Sequence, residues 1–159
     1  GSADFRDGWL GTRLPLLAGP VHSVSGHVVE VWNSGRPASA SSVKILTLPV
    51  RRPGLDMSAF TKHWLVVHAG LALEGPNIRE HLQRLVSTPA DQQRFPPLEL
   101  APFDGIGVIE FDSAESLAAE FASDHYRRVM APDEPRFTDP AASRAIMVRE
   151  LDTPASVRV

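Results

Sequence analysis

Six histidines, a single tyrosine and no cysteine set the side chains available for chemistry in this chain of 159 residues. Two of the histidines, His63 and His68, share one short, mostly apolar stretch, FTKHWLVVHAGLALEGP, at 60–76. An imidazole, with an ordinary pKa of about 6.5, suits the proton transfers of enolisation, aldol cyclisation, dehydration or decarboxylation. Each residue of a regular α-helix turns the chain by about 100°, which sets positions 63 and 68 about 140° apart. A shared proton or a chelated metal needs neighbours three or four positions apart. The spacing therefore predicts two separate histidines and no metal site.

His68 follows Trp64 by one turn and precedes Leu71 and Ala72, inside the apolar set Phe60, Trp64, Leu65, Val67 and Leu71. His63 flanks that stripe beside Lys62, at a surface or rim position. A histidine on the inward face reads in two ways. It is a core residue whose ring nitrogens find partners, or a general acid/base lining a pocket between helix and sheet. The residues alone favour the first reading, since buried polar groups are generally hydrogen-bonded and structural. His81 could project into the same cavity or face solvent, and Tyr126, beside His125, could donate to a ligand or simply pack. Arg51 and Arg52 read as strand-end charges, with anion binding the lesser option, and Asp104 reads as turn chemistry. Phe95, Phe103 and Phe137 read as packing anchors. No serine has a Gly-x-Ser-x-Gly setting, no Gly-rich loop would cradle a phosphate, and Gly105 and Gly107 fall short of a dinucleotide fingerprint.

The elements that must position these residues follow from pattern. VKILTLPV, 43–50, is an apolar, β-branched strand halted by RRPG. Asp56 or Ser58 caps a helix that Gly75 and Pro76 end. IREHLQRLV, 78–86, reads as a second strand, and 87–103, with four prolines, as a long loop. GIGVIEFD, 105–112, is a third strand. Ser113 caps a second helix, AESLAAEFA, although Ser116 stands where a full capping box would place glutamate or glutamine. SDHYRRVMAPDEPRF continues as a broken helical segment, and SRAIMVREL, 143–151, is a last strand. The order strand, helix, strand, strand, helix, strand is the split βαβ, ferredoxin-like arrangement, an α+β fold. Its antiparallel sheet carries two helices on one face and leaves the other bare, so the bare face needs a second sheet to cover it.

The first forty residues repeat part of this pattern. Phe5, Trp9, Leu10, Leu16 and Gly19-Pro20 align with Phe60, Trp64, Leu65, Leu71 and Gly75-Pro76 after one insertion, and VVEVWNS resembles VIEFDS. Residues 1–34 thus read as a partial or degenerate first repeat, 35–42 as a linker, 43–151 as the main domain and 152–159 as a tail. Composition fits a soluble globular protein: 43% hydrophobic residues, 22% charged, and a formal net charge of -3 from scattered acids and bases. No basic run would track a phosphate backbone, so nucleic acid is not an expected partner. No apolar run is long enough to span a bilayer, and the opening GSADFRDG lacks the pattern of a signal peptide, so no membrane partner and a cytoplasmic location are expected. Absent cysteines exclude disulfides and thiolate ligands.

Three stretches, RRPGLDMSAFTKHWLVVHAGLAL, DGIGVIEFDSAESLAAEFAS and APDEPRFTDP, resemble the EthD-domain family of dimeric α/β-barrel proteins over roughly 43–151. The family pattern Arg-Arg-Pro-Gly-Leu, Phe, His-Trp, His-Ala-Pro-Leu is matched by Arg51, Arg52, Pro53, Gly54, Leu55, Phe60, His63, Trp64, His68, Ala69 and Leu71. Gly70 replaces the usual proline, and His81 stands where tyrosine is common. The resemblance implies sheets that pair into a dimeric or pseudo-dimeric barrel. Its relatives include cofactor-free polyketide cyclases, muconolactone isomerases, anthrone monooxygenases, EthD dehydratases or decarboxylases, and accessory proteins of ether-degrading systems.

A histidine at 68 in the family pattern favours His68 as a site residue, with His81 or Tyr126 orienting a carbonyl or hydroxyl. Trp64, Leu71 and Phe60 are the expected substrate-binding side chains. The resulting expectation is a lyase- or isomerase-type enzyme, needing no cofactor or metal, that acts on a small aromatic or polyketide-like substrate as a homodimer. The alternative is a non-catalytic binding or accessory protein for a hydrophobic metabolite, and a weaker third option is an oligomeriser without a pocket.

Overall fold

The computed structural model describes residues 22–24, 26–35, 37, 39–75, 82–86 and 99–149, with backbone alone described at 23 and 82–86. Expectations placed on 1–21, 76–81, 87–98 and 150–159, including His81, most of the proposed first repeat and most of the long loop, lie outside the described residues.

Two strands precede the main unit, β1 at His22–Ser23 and β2 at His27–Trp32. The apolar run predicted first becomes β3, Val43–Leu48. Helix α1 follows in three continuous segments, Met57–Lys62, His63–His68 and Ala69–Leu73. Next come β4, Leu82–Val86, the two-residue β5, Glu99–Leu100, and β6, Gly105–Phe111. Helix α2 spans Ala114–Ala122, α3 joins Tyr126–Met130 to Ala131–Phe137, and β7 is Arg144–Val148. The main sheet has the order β2-β4-β6-β3-β7 with every pairing antiparallel, while β1 and β5 pair in parallel. Strands β4, β6, β3 and β7 with their helices reproduce the ferredoxin-like order, and β2 extends the β4 edge by one strand.

Alternation along the strands decides which residues meet the helices. Val43, Ile45 and Thr47 of β3 pair with Phe111, Ile109 and Gly107 of β6 and share one face. Val43, Ile45 and Phe111 form a buried cluster on that face, covered by Ala114, Leu117 and Phe121 of α2. A second cluster, Phe60, Trp64 and Phe137, locks α1 against α3. Gly107 permits this closeness, because a β-carbon there would collide with the Thr47 hydroxyl and come within 3.2 Å of the Trp64 ring. Leu46, Val108 and Ile146 are in register on the opposite face, and Ile146 is 49% exposed.

Capping fixes where the helices begin. Asp56 Oδ1 accepts from Ala59 N–H at 2.8 Å to start α1. At α2 the capping box closes despite its missing glutamate. Ser113 Oγ accepts from Ser116 N–H at 3.2 Å, and Ser116 Oγ accepts from Ser113 N–H at 3.1 Å. Asp104 does more than shape its turn: its carboxylate accepts from Arg51 N–H at 2.7 Å and faces Arg51 Nε at 3.5 Å, tying the chain after β3 to the start of β6.

Candidate functional site

The expectation that His63 and His68 stand apart fails, and the reason is the winding of α1. Residues 63–68 form a wide π-type turn, in which Ala69 N–H reaches back five residues to Trp64 C=O. A π turn takes about 4.4 residues, so five positions bring side chains to within about 50° of each other. Both rings consequently reach one carboxylate. His63 Nε2 lies 3.0 and 3.1 Å from Asp133 Oδ1 and Oδ2, and His68 Nδ1 lies 3.0 Å from Oδ2. Both rings also rest on Phe137: His63 stacks at 4.9 Å and 19°, and His68 tilts at 4.8 Å and 52°. His63, expected at the surface or rim, is thus only part-exposed and shares Asp133 and Phe137 with His68.

The Asp133 side chain is only 3% exposed, so its oxygens depend on protein donors. Burial is the largest influence on this carboxyl and would raise its pKa. Hydrogen bonds and charge from His68 and His63 together outweigh burial and hold it below the usual carboxylate range. An ionised carboxylate only accepts, so Nδ1 of His68 and Nε2 of His63 carry the protons that point at it. In the neutral ring that leaves the His68 lone pair on Nε2. Arg136 Nη1, 3.8 Å from Oδ1, adds a more distant positive charge.

His68 lines a cavity of about 320 Å³ between the helix layer and the sheet, within the range of small-molecule sites. Trp64, Ile109, Phe121 and Met130 supply apolar wall, while Tyr126, Glu134 and Glu120 supply polar groups. Tyr126 packs edge-on against Phe121 at 4.5 Å and donates to Glu134 Oε1 at 2.8 Å. Burial, with the Glu134 carboxyl beside it, pushes the Tyr126 phenol above its ordinary range, so it stays protonated. Burial likewise raises the Glu134 carboxyl, and its contact with Tyr126 offsets this only in part.

Of the residues expected at the site, His68, Tyr126 and Trp64 share this cavity. Phe60 does not line it; fully buried, it packs beneath against Trp64 and Phe137. Leu71 does not line it either, and its carbonyl accepts from His125 Nε2 at 2.9 Å. Val67, placed in the apolar stripe by α-helical spacing, is 43% exposed because the π turn swings it outward. Asp133 and Glu134 were assigned no role by sequence reasoning. The only signal was two adjacent acids in the family-like segment APDEPRFTDP. Among the described residues no group of three or more histidine or acidic side chains is arranged to hold a metal, and no helix is long and apolar enough to cross a membrane.

A helix-covered antiparallel sheet with a cavity beneath the helices defines an α+β protein of ferredoxin-like fold. The EthD domain model matches residues 52–141, more than half of the chain, and the chain belongs to that family. An ethyl tert-butyl ether D (EthD) family protein from Bacillus halodurans is similar in structure, with TM-score 0.52 and 21% identity over 69% of this chain and 99% of its own. A dimeric protein of ferredoxin-like fold from Bacteroides fragilis aligns with TM-score 0.47 and 10% identity over 69% of this chain and 97% of its own. No curated protein matches the chain.

Proposed function

We propose that the chain is a lyase- or isomerase-type enzyme that performs dehydration, cyclisation or decarboxylation on a small aromatic or polyketide-like substrate by means of its own side chains. The observation that carries this reading is His68 on the cavity wall with Nδ1 held 3.0 Å from a buried carboxylate. Nε2 of His68 takes a proton from carbon beside a substrate carbonyl, and Asp133 stabilises the imidazolium that results. A developing enolate oxygen accepts from Tyr126. When Glu134 is protonated, its O–H can take over the donor role in their contact and release the phenol proton for that task. In a dehydration the imidazolium then returns its proton to the departing hydroxyl, so C–H and C–O bonds break and water leaves. Neighbouring carboxyls driven in opposite directions, Asp133 down and Glu134 up, are the pattern expected of divided acid/base work.

The test is turnover of hydroxylated aromatic and polyketide-like compounds, followed by product mass across pH. His68→Ala should lose activity about 100-fold or more, with a histidine-type limb in the parent profile. Full activity in His68→Ala would sink the assignment. Saturable binding with no turnover of any compound would favour the alternative, a non-catalytic accessory binder using the same cavity. The same reading has two copies pairing across the sheet face that carries Leu46, Val108 and Ile146.

A further inference from the structure

His63 contributes nothing to the cavity wall, yet it meets both oxygens of the carboxylate that holds His68. We propose that His63 is a positioning residue: its Nε2–H clamps Asp133 so that Oδ2 stays on His68 Nδ1, which fixes His68 in the tautomer whose Nε2 carries the lone pair. This rests on the reading of His68 as the proton-transferring group.

A carboxylate turns about its last single bond unless both oxygens are engaged. His63 engages both, Oδ1 at 3.0 Å and Oδ2 at 3.1 Å, and leaves Oδ2 to be shared with His68. Without it, Asp133 would keep His68 and the more distant Arg136 Nη1, 3.8 Å away. Asp133 is 3% exposed, so water is poorly placed to replace the lost donor. Phe137 holds both imidazole planes, and stacking alone does not select which nitrogen carries the proton. The carboxylate 3.0 Å from Nδ1 favours a proton there, and that carboxylate is held by His63. The π turn makes this clamp reachable, since regular α-helical winding would turn His63 away.

Uniformly 15N-labelled protein, without ligand and at a pH raised until the ring nitrogen shifts stop changing, reports the tautomer of the neutral ring through those shifts. The His68 signals are assigned by their loss in His68→Gln. The parent should show one tautomer, Nδ1–H. His63→Phe keeps the stack on Phe137 but removes the donor, and the Nε2–H form of His68 should rise severalfold. His63→Gln replaces the imidazole N–H with an amide N–H and should retain the parent pattern. A parent-like pattern in His63→Phe, or a mixture in His63→Gln, overturns the proposal. The experiment needs no substrate, so it stands or falls apart from the turnover measurements that test the role of His68 itself.

Discussion

Asp133 and Glu134 are consecutive in α3 but face different surroundings, and pH should separate them. Asp133 has a depressed folded pKa, so the stability it contributes is complete above the ordinary carboxylate pKa of about 3.9 and is lost as pH falls through the folded value. Asp133→Asn should therefore cost about 1–3 kcal/mol near neutral pH, with the gap to the parent closing below about pH 4 in thermal melts. Glu134 is raised, so its contribution is complete below about pH 4.3 and is lost as pH climbs through the folded value. Glu134→Gln keeps an acceptor for Tyr126 and never ionises, so its melting temperature relative to the parent should rise between about pH 4 and pH 8. A difference that stays flat or falls would contradict the burial assigned to Glu134. At this scale the family pattern had singled out His68, and Tyr126 and Trp64 were also expected beside it; the three line one cavity. Asp133 was out of reach because its partners lie 65 and 70 positions away, and the burial of an acid is a tertiary fact.

At the level of elements, α1 explains both the success and the error of sequence reading. Apolar spacing found the helix and the inward Phe60 and Trp64, and of the two candidate caps, Asp56 and Ser58, Asp56 is the one used, but spacing assumes one constant winding. A π turn behaves as one inserted residue whose cost is local, and helical phase is regained on either side. Val66, 64% exposed, is the residue best read as that insertion. Deleting it should wind the segment as α-helix with the histidines four apart, still on one face. The deletion variant should fold with Trp64 buried, whereas a collapse of Trp64 fluorescence to that of unfolded protein would contradict this account. Gly107 offers a second test. Gly107→Ala forces Thr47 and Trp64 away from β6, and overpacking there should cost about 1–3 kcal/mol in denaturant unfolding.

For the molecule as a whole, strand and helix order was legible because β-branched runs, caps and Gly-Pro stops agree with one another. The edge strand β2 was seen only as a strand-like stretch, since nothing local states which strand it will pair with. The apolar sheet face remains the feature that a single chain does not explain. If two copies pair across it, as proposed, sedimentation should show a dimer at micromolar concentration and Ile146→Lys should yield a folded monomer. A parent protein that sediments as a monomer throughout would remove that part of the reading.

The central claim is that the His68 cavity is a ligand site, and Trp64 in its wall reports on it directly. In a Trp9→Phe, Trp32→Phe background, phenolic and polyketide-like aromatics would be titrated against Trp64 fluorescence, with and without His68→Ala. Some of these compounds should quench saturably, and the His68 substitution should abolish that quenching or weaken it about tenfold or more. Quenching that is identical in both proteins, or absent for every compound while both remain folded, would contradict it.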